Sequence, residues 1–103
     1  MTQLIWEDLS RGFHGGYFDS NEICTFDEDG EKQLICFSVR EYTSDRTDFF
    51  GVECPAWELI LFIREIRNGE YSCESKWLIG KDYGRAEYAK EFADYVVESV
   101  KKH

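Results

Sequence analysis

Two turn signals, Asp29-Gly30 and Asn68-Gly69, each stand between runs of β-forming residues, and they constrain the fold of this chain more than any other feature. Asp-Gly and Asn-Gly favour the positive φ angles that a tight hairpin turn requires. The first signal separates the runs 22–26 and 33–39, so the sequence predicts a β-hairpin near residues 22–40.

The second signal permits two interpretations of the segment before it. Residues 57–67 and 70–79 can form a hairpin, or Pro55 to Asn68 can form a helix, with Pro at its first position and Gly69 as its stop. The segment is rich in aromatic and β-branched residues, and the residues after Gly69 supply a partner strand. These observations favour a hairpin near residues 57–79.

The C-terminal segment from about 85 to 102 lacks proline and glycine and has a 3.6-residue period, which predicts an amphipathic helix. The apolar positions on one predicted face are Ala89, Phe92, Ala93, Val96 and Val100. Packing this helix on the hairpins gives an α+β fold, an antiparallel β-meander of about four to six strands with one long C-terminal helix.

The remaining segments are less regular. Residues 42–54 are interpreted as a polar loop leading into a short strand, and residues 4–18 as a short element, a glycine-rich bend and a strand. The chain has 103 residues, of which 43% are hydrophobic and 17% aromatic. That is enough for one core but too short for two, so residues 1–103 are expected to form a single domain.

The charge of the chain is −9, and most of it lies near the N-terminus. Residues 1–31 contain eight acidic residues and one basic residue, whereas residues 32–103 are close to balance. A field of this sign repels phosphates and anionic lipids, which disfavours direct binding to nucleic acid or a membrane. A basic protein partner is favoured instead.

The cellular compartment and the state of the cysteines are inferred from motifs that the sequence lacks. We find neither a basic leader with an apolar segment nor about 20 consecutive apolar residues, so a cytoplasmic protein with reduced thiols is expected. The four cysteines form no CxxC pair, which disfavours a metal site and predicts no cofactor. Cys24 and Cys36 could form a cross-strand disulfide if they lay opposite each other, although a reducing compartment argues against it.

Catalytic motifs are also missing. His14 precedes Gly15-Gly16, but no GxSxG nucleophile elbow accompanies it. The acidic segment 27–31 lacks the ligand offsets of a calcium loop, and no glycine-rich phosphate loop is present. The chain is therefore expected not to be an enzyme.

Two acidic sets are the candidate partner-binding residues. On the predicted helix, carboxylates recur at helical spacing and two tyrosines flank them: Glu87, Glu91, Asp94, Glu98, Tyr88 and Tyr95. The turn of the first predicted hairpin adds Asp27, Glu28, Asp29 and Glu31. A row of carboxylates roughly 5–6 Å apart resembles a row of phosphates in charge and spacing.

These features predict a small acidic inhibitor of immunity or anti-defence type, a nucleic-acid mimic that neutralises a basic nuclease or nucleic-acid-binding complex. Three alternatives stay open. The carboxylates can be the ordinary polar face of an amphipathic helix. The chain, monomer or homodimer, can be an adaptor that self-associates through apolar surface, with Trp6, Trp57 and Trp77 as anchors. It can also be a small enzyme or metal protein that uses His14 and cysteines.

Overall fold

The computed structural model describes residues 4–10, 16–47 and 49–101, which form a six-stranded antiparallel sheet and one helix. The elements are β1 (Trp6–Asp8), β2 (Tyr17–Ser20), β3 (Ile23–Phe26), β4 (Lys32–Thr47), β5 (Glu53–Arg67), β6 (Glu70–Tyr83) and α1 (Ala86–Lys101). The strand order is β1-β2-β4-β5-β6, and β3 also pairs with β4. The predicted α+β architecture is confirmed.

The β5–β6 connection is the hairpin that the Asn-Gly signal predicts. Asn68 and Gly69 have φ angles of 55° and 80°, and Arg67 pairs with Glu70 across the turn. Two consecutive positive φ angles define the turn whose twist matches that of the flanking strands. The alternative of a helix from Pro55 to Asn68 is wrong, because that segment pairs along both of its edges.

The β3–β4 hairpin is confirmed as well, and its turn depends on Asp27. The Asp27 carboxylate accepts hydrogen bonds from the backbone N–H groups of Asp29 at 2.9 Å and Glu31 at 2.8 Å. Gly30 has a φ of 82°, a conformation that glycine adopts without steric cost. In the resulting register Cys24 lies opposite Leu34 and not opposite Cys36, so these two cysteines do not face each other.

The central strands are longer than the sequence indicates. The prediction for residues 42–54 is wrong in both parts: β4 continues to Thr47 where the sequence predicts a loop, and residues 49–52, predicted as a short strand, lie in the connection before β5 begins at Glu53. Pro55 lies opposite Thr43, and the register shifts between Thr43 and Thr47. Pairing across the sheet stabilises this polar stretch as strand, an effect that local polarity does not reveal.

The core lies between α1 and one face of the sheet. Phe37 pairs with Leu61 and Val39 with Leu59, and cross-strand partners project from the same face. Four small helix residues pack against that face: Ala86, Ala89, Ala93 and Val97. The predicted helix is confirmed, and three of the five residues assigned to its apolar side, Ala89, Ala93 and Val96, face the core.

Two of the residues assigned to the apolar side of the helix are exposed. Phe92 is 38% exposed and Val100 is 39% exposed, whereas Ala89 and Ala93 are fully buried. Alanine side chains allow the helix to approach the sheet closely, and a phenylalanine at the same contact would hold it away. The size of the side chain therefore determines which apolar positions of α1 face the core.

The junction between β6 and α1 is fixed by Tyr42. Its hydroxyl donates a hydrogen bond to the Asp82 carboxylate at 2.6 Å, and the Asp82 N–H donates back to the Tyr42 oxygen at 3.0 Å. Asp82 has a φ of 63°, which is unfavourable for a residue other than glycine. The two hydrogen bonds hold the chain in this bend just before the helix begins.

Candidate protein-binding site

The predicted acidic residues of α1 form one stripe on its outward side. Glu87, Glu91 and Asp94 are exposed and Glu98 is half-buried. A rise of about 1.5 Å per residue spreads the four carboxylates over about 16 Å of helix. The name acidic stripe is used below for these four residues.

None of the basic side chains that the structure describes lies against the acidic stripe. Among the described residues, no ion pair joins its carboxylates to a basic side chain. Elsewhere on the molecule carboxylates are paired: Arg40 lies 3.5 Å from Glu58, and Arg64 lies 3.1 Å from Glu22. The stripe therefore differs from Glu58 and Glu22, whose charges described arginines compensate.

Lys90 is the base on α1 that lies within helical ion-pair spacing of Glu87 and Asp94. It follows Glu87 by three residues and precedes Asp94 by four, which is the spacing of a helical ion pair. Its Nζ instead lies 3.7 Å from the centroid of the Phe18 ring and 5.8 Å from that of Trp6. This cation–π contact directs Lys90 toward β1 and β2 and away from the carboxylates.

A row of exposed aromatic rings runs beside the stripe. Tyr88 is 51% exposed and Tyr95 is 66% exposed, as expected for contact residues. The sequence interpretation missed Phe92, whose ring lies 6.1 Å from that of Tyr95 at an interplanar angle of 25°. Residues 88, 92 and 95 recur at helical spacing, and this signal could have identified the row.

The acidic turn between β3 and β4 has a mixed role. Glu28, Asp29 and Glu31 are exposed, whereas the Asp27 carboxylate is engaged by the backbone of its own turn. Asp27 is therefore a structural residue. The turn belongs to the sheet and the acidic stripe to the helix. Contact of one partner with both acidic sets stays a prediction.

The four cysteines lie in the described part of the chain and form no disulfide there. Cys24 and Cys73 are exposed, and Cys36 and Cys54 are half-buried. Burial raises the pKa of the Cys36 thiol, which lowers its thiolate fraction at neutral pH.

Metal binding has no counterpart among the described residues either, since no group of three or more His, Cys, Asp or Glu side chains there could hold a metal ion. His14 and His103 lie outside the described residues. No helix in residues 4–10, 16–47 and 49–101 is long and apolar enough to cross a membrane.

The fold and the site together define a class: a small α+β domain whose single described helix presents carboxylates and aromatic rings on its free side. Comparisons with protein families, with curated proteins and with solved structures found no match to this chain. Its function is therefore argued from the site alone.

Proposed function

We propose that this chain is an acidic inhibitor of immunity or anti-defence type. It binds a basic, nucleic-acid-binding protein through α1 and occupies the surface where that protein would contact phosphates. The observation that carries the proposal is the acidic stripe, which is exposed, forms no ion pair among the described residues and lies beside a row of aromatic rings.

Electrostatics supports a partner of positive charge. An unneutralised row of carboxylates on a chain of charge −9 attracts a basic surface over a distance of several ångströms and accelerates association. The acceleration falls as salt screens the charges, since the Debye length is about 10 Å at 0.1 M ionic strength. Binding is expected to weaken steeply as salt increases.

The aromatic row supports a protein partner in particular. Tyrosine is enriched at protein interfaces because it buries a large ring and offers a hydroxyl for hydrogen bonding. Arginine guanidinium groups also stack on aromatic faces while they bind carboxylates through two N–H groups. Tyr88, Phe92 and Tyr95 lie beside the carboxylates in a position suited to both contacts.

The test is competition between this protein and a fluorescent DNA duplex for a panel of basic nucleic-acid-binding proteins. The helix variant combines Glu87→Gln, Glu91→Gln and Asp94→Asn. The matched control combines Glu7→Gln, Glu53→Gln and Glu70→Gln, which are exposed positions on the strands. Both variants remove three negative charges, so they differ only in where those charges lie.

We expect the helix variant to displace DNA more weakly than wild type by about 10- to 150-fold. This corresponds to about 0.5–1 kcal/mol for each lost charge contact. The control variant should displace DNA only slightly more weakly than wild type, because its net charge is less negative. Equal losses in the two variants, or no displacement of DNA by wild type at low salt, would contradict the proposal.

A further inference from the structure

The face of the sheet opposite α1 carries apolar side chains that none of the described elements covers. In residues 4–10, 16–47 and 49–101, α1 is the only element outside the sheet, and it packs on the other face. The apolar members of this open face on the four strands β3 to β6 that keep exposed surface are Cys24, Phe26, Leu34, Cys36, Phe62 and Leu78. Ile60 and Ala56 lie on the same face, but they are only 2% and 6% exposed, so neighbouring side chains already cover them. Phe26 is 67% exposed and Leu78 is 57% exposed.

The register distinguishes the two faces at neighbouring residues of β6. Trp77 pairs with Leu61, which packs against the core beneath α1, whereas Leu78 pairs with Ile60. Ile60 also pairs with Ser38, whose hydroxyl donates a hydrogen bond to Asp19. Ile60 and Ser38 are buried, but Ile60 does not belong to the cluster beneath α1. Trp77 and Leu78 therefore project from opposite faces although they are adjacent in sequence.

The charged side chains of the open face compensate one another. Arg64 lies 3.1 Å from Glu22 and 3.5 Å from Glu74, and Arg40 lies 3.5 Å from Glu58. A further base, Lys76, lies 6.0 Å from the Phe62 ring centroid. This face therefore lacks the negative surplus that the chain as a whole carries.

We propose that the open face binds a second copy of this chain, sheet against sheet, about a twofold axis. A twofold contact brings the same patch of each copy together, so apolar groups meet apolar groups and each ion pair can meet its counterpart. It also allows two chains of charge −9 to approach each other through the face whose charged side chains form ion pairs, where electrostatic repulsion is smallest. Both acidic stripes then lie on the outer sides of the dimer, free for the partner proposed above.

The area of the open face is sufficient for a weak dimer. Nine residues on each of β4, β5 and β6, at about 3.3 Å per residue and about 4.8 Å per strand, cover about 30 Å by 14 Å, and the four residues of β3 add about 13 Å by 5 Å. The face thus offers about 500 Å² per copy, or about 1,000 Å² in total, which is the size of a weak interface. A dissociation constant in the micromolar range is expected.

Sedimentation equilibrium of the purified protein, from about 1 µM to about 1 mM, tests the proposal without any partner. Two variants place a charge at adjacent, equally exposed positions on opposite faces: Leu78→Lys on the open face and Trp77→Lys on the helix side, which are 57% and 56% exposed in wild type. Phe26→Lys is a second open-face variant, so the test does not depend on one substitution.

We expect wild type and Trp77→Lys to form a concentration-dependent dimer, and Leu78→Lys and Phe26→Lys to weaken it by at least tenfold. Raising the salt should strengthen or preserve the dimer, since screening reduces repulsion between the two acidic copies. A wild-type monomer over the whole range would overturn the proposal. So would a dimer that Trp77→Lys disrupts and Leu78→Lys leaves intact. Neither result would affect binding of a basic partner by α1.

Discussion

Replacing Ala93 with leucine tests the close contact between α1 and the sheet. Ala93 is fully buried and belongs to the same core cluster as Phe37 and Leu59. Helix propensity alone predicts a loss of only a few tenths of a kcal/mol, because leucine is nearly as good a helix former as alanine. Packing predicts a larger loss, about 1–3 kcal/mol, because three extra carbons must fit where no space remains.

A loss of about 2 kcal/mol is a large part of the stability of a chain of this length, which is on the order of 5–15 kcal/mol. It should lower Tm by roughly 8–16 °C, since each kcal/mol shifts the midpoint of a domain of this size by about 4–8 °C. Urea unfolding followed by circular dichroism measures the change in free energy. Glu91→Leu is the control, because it places the same side chain on the exposed side of α1, where the expected change is within about 0.5 kcal/mol. Equal stability of the two variants would refute the packing argument.

Two further predictions concern titratable groups. The hydrogen bond to the Asp82 carboxylate raises the pKa of Tyr42 above its ordinary value of 10.0, so the folded state holds this proton more tightly than the unfolded chain does. The resulting stabilisation is complete below pH 10 and is lost as the pH rises through the raised pKa of Tyr42. Tyr42→Phe should therefore be less stable than wild type at pH 8, and the difference between their urea midpoints should narrow above pH 10. A difference in urea midpoint that does not change with pH would exclude this linkage. Burial raises the pKa of the Cys36 thiol, so Cys36 should react more slowly with an alkylating reagent at pH 8 than the exposed Cys24 and Cys73. Mass spectrometry after brief alkylation measures the three rates. Equal rates would contradict the buried environment of Cys36.

The parts of the fold that the sequence predicts are those set by local chemistry. Asn68-Gly69 and Asp29-Gly30 favour positive φ angles whatever the rest of the chain does, and both hairpins form where these signals predict them. The helix period is equally local, and α1 begins and ends within one residue of the predicted bounds.

The parts that the sequence does not predict depend on partners distant in the chain. Residues 43–47 are polar and look like a loop, but they belong to β4, and β5 pairs with Thr43 and Thr47. The register that separates Cys24 from Cys36 is set by the length of the turn between them. Phe92 is exposed because the contact with the sheet admits only small side chains, a restriction that exists only once α1 has packed.

The candidate site also combines features that local sequence predicts with features that depend on distant contacts. Helical spacing alone predicts that Glu87, Glu91 and Asp94 share a side of α1, and the structure confirms their exposure. Spacing would also pair Lys90 with them, yet Lys90 lies on the Phe18 ring, which comes from a strand about 70 residues earlier in the chain. The position of Lys90 away from the stripe is therefore a tertiary property.

We propose that the position of the carboxylates on α1, and not the total charge of the chain, determines binding to the basic partner. The measurement that tests it directly is the ratio of the DNA-displacement constants of the helix variant and the strand control against the same basic protein at low salt. A ratio of about ten or more, which shrinks as salt is raised, is the predicted result. A ratio near one would contradict the account, because acidity would then act only through the net charge of the chain.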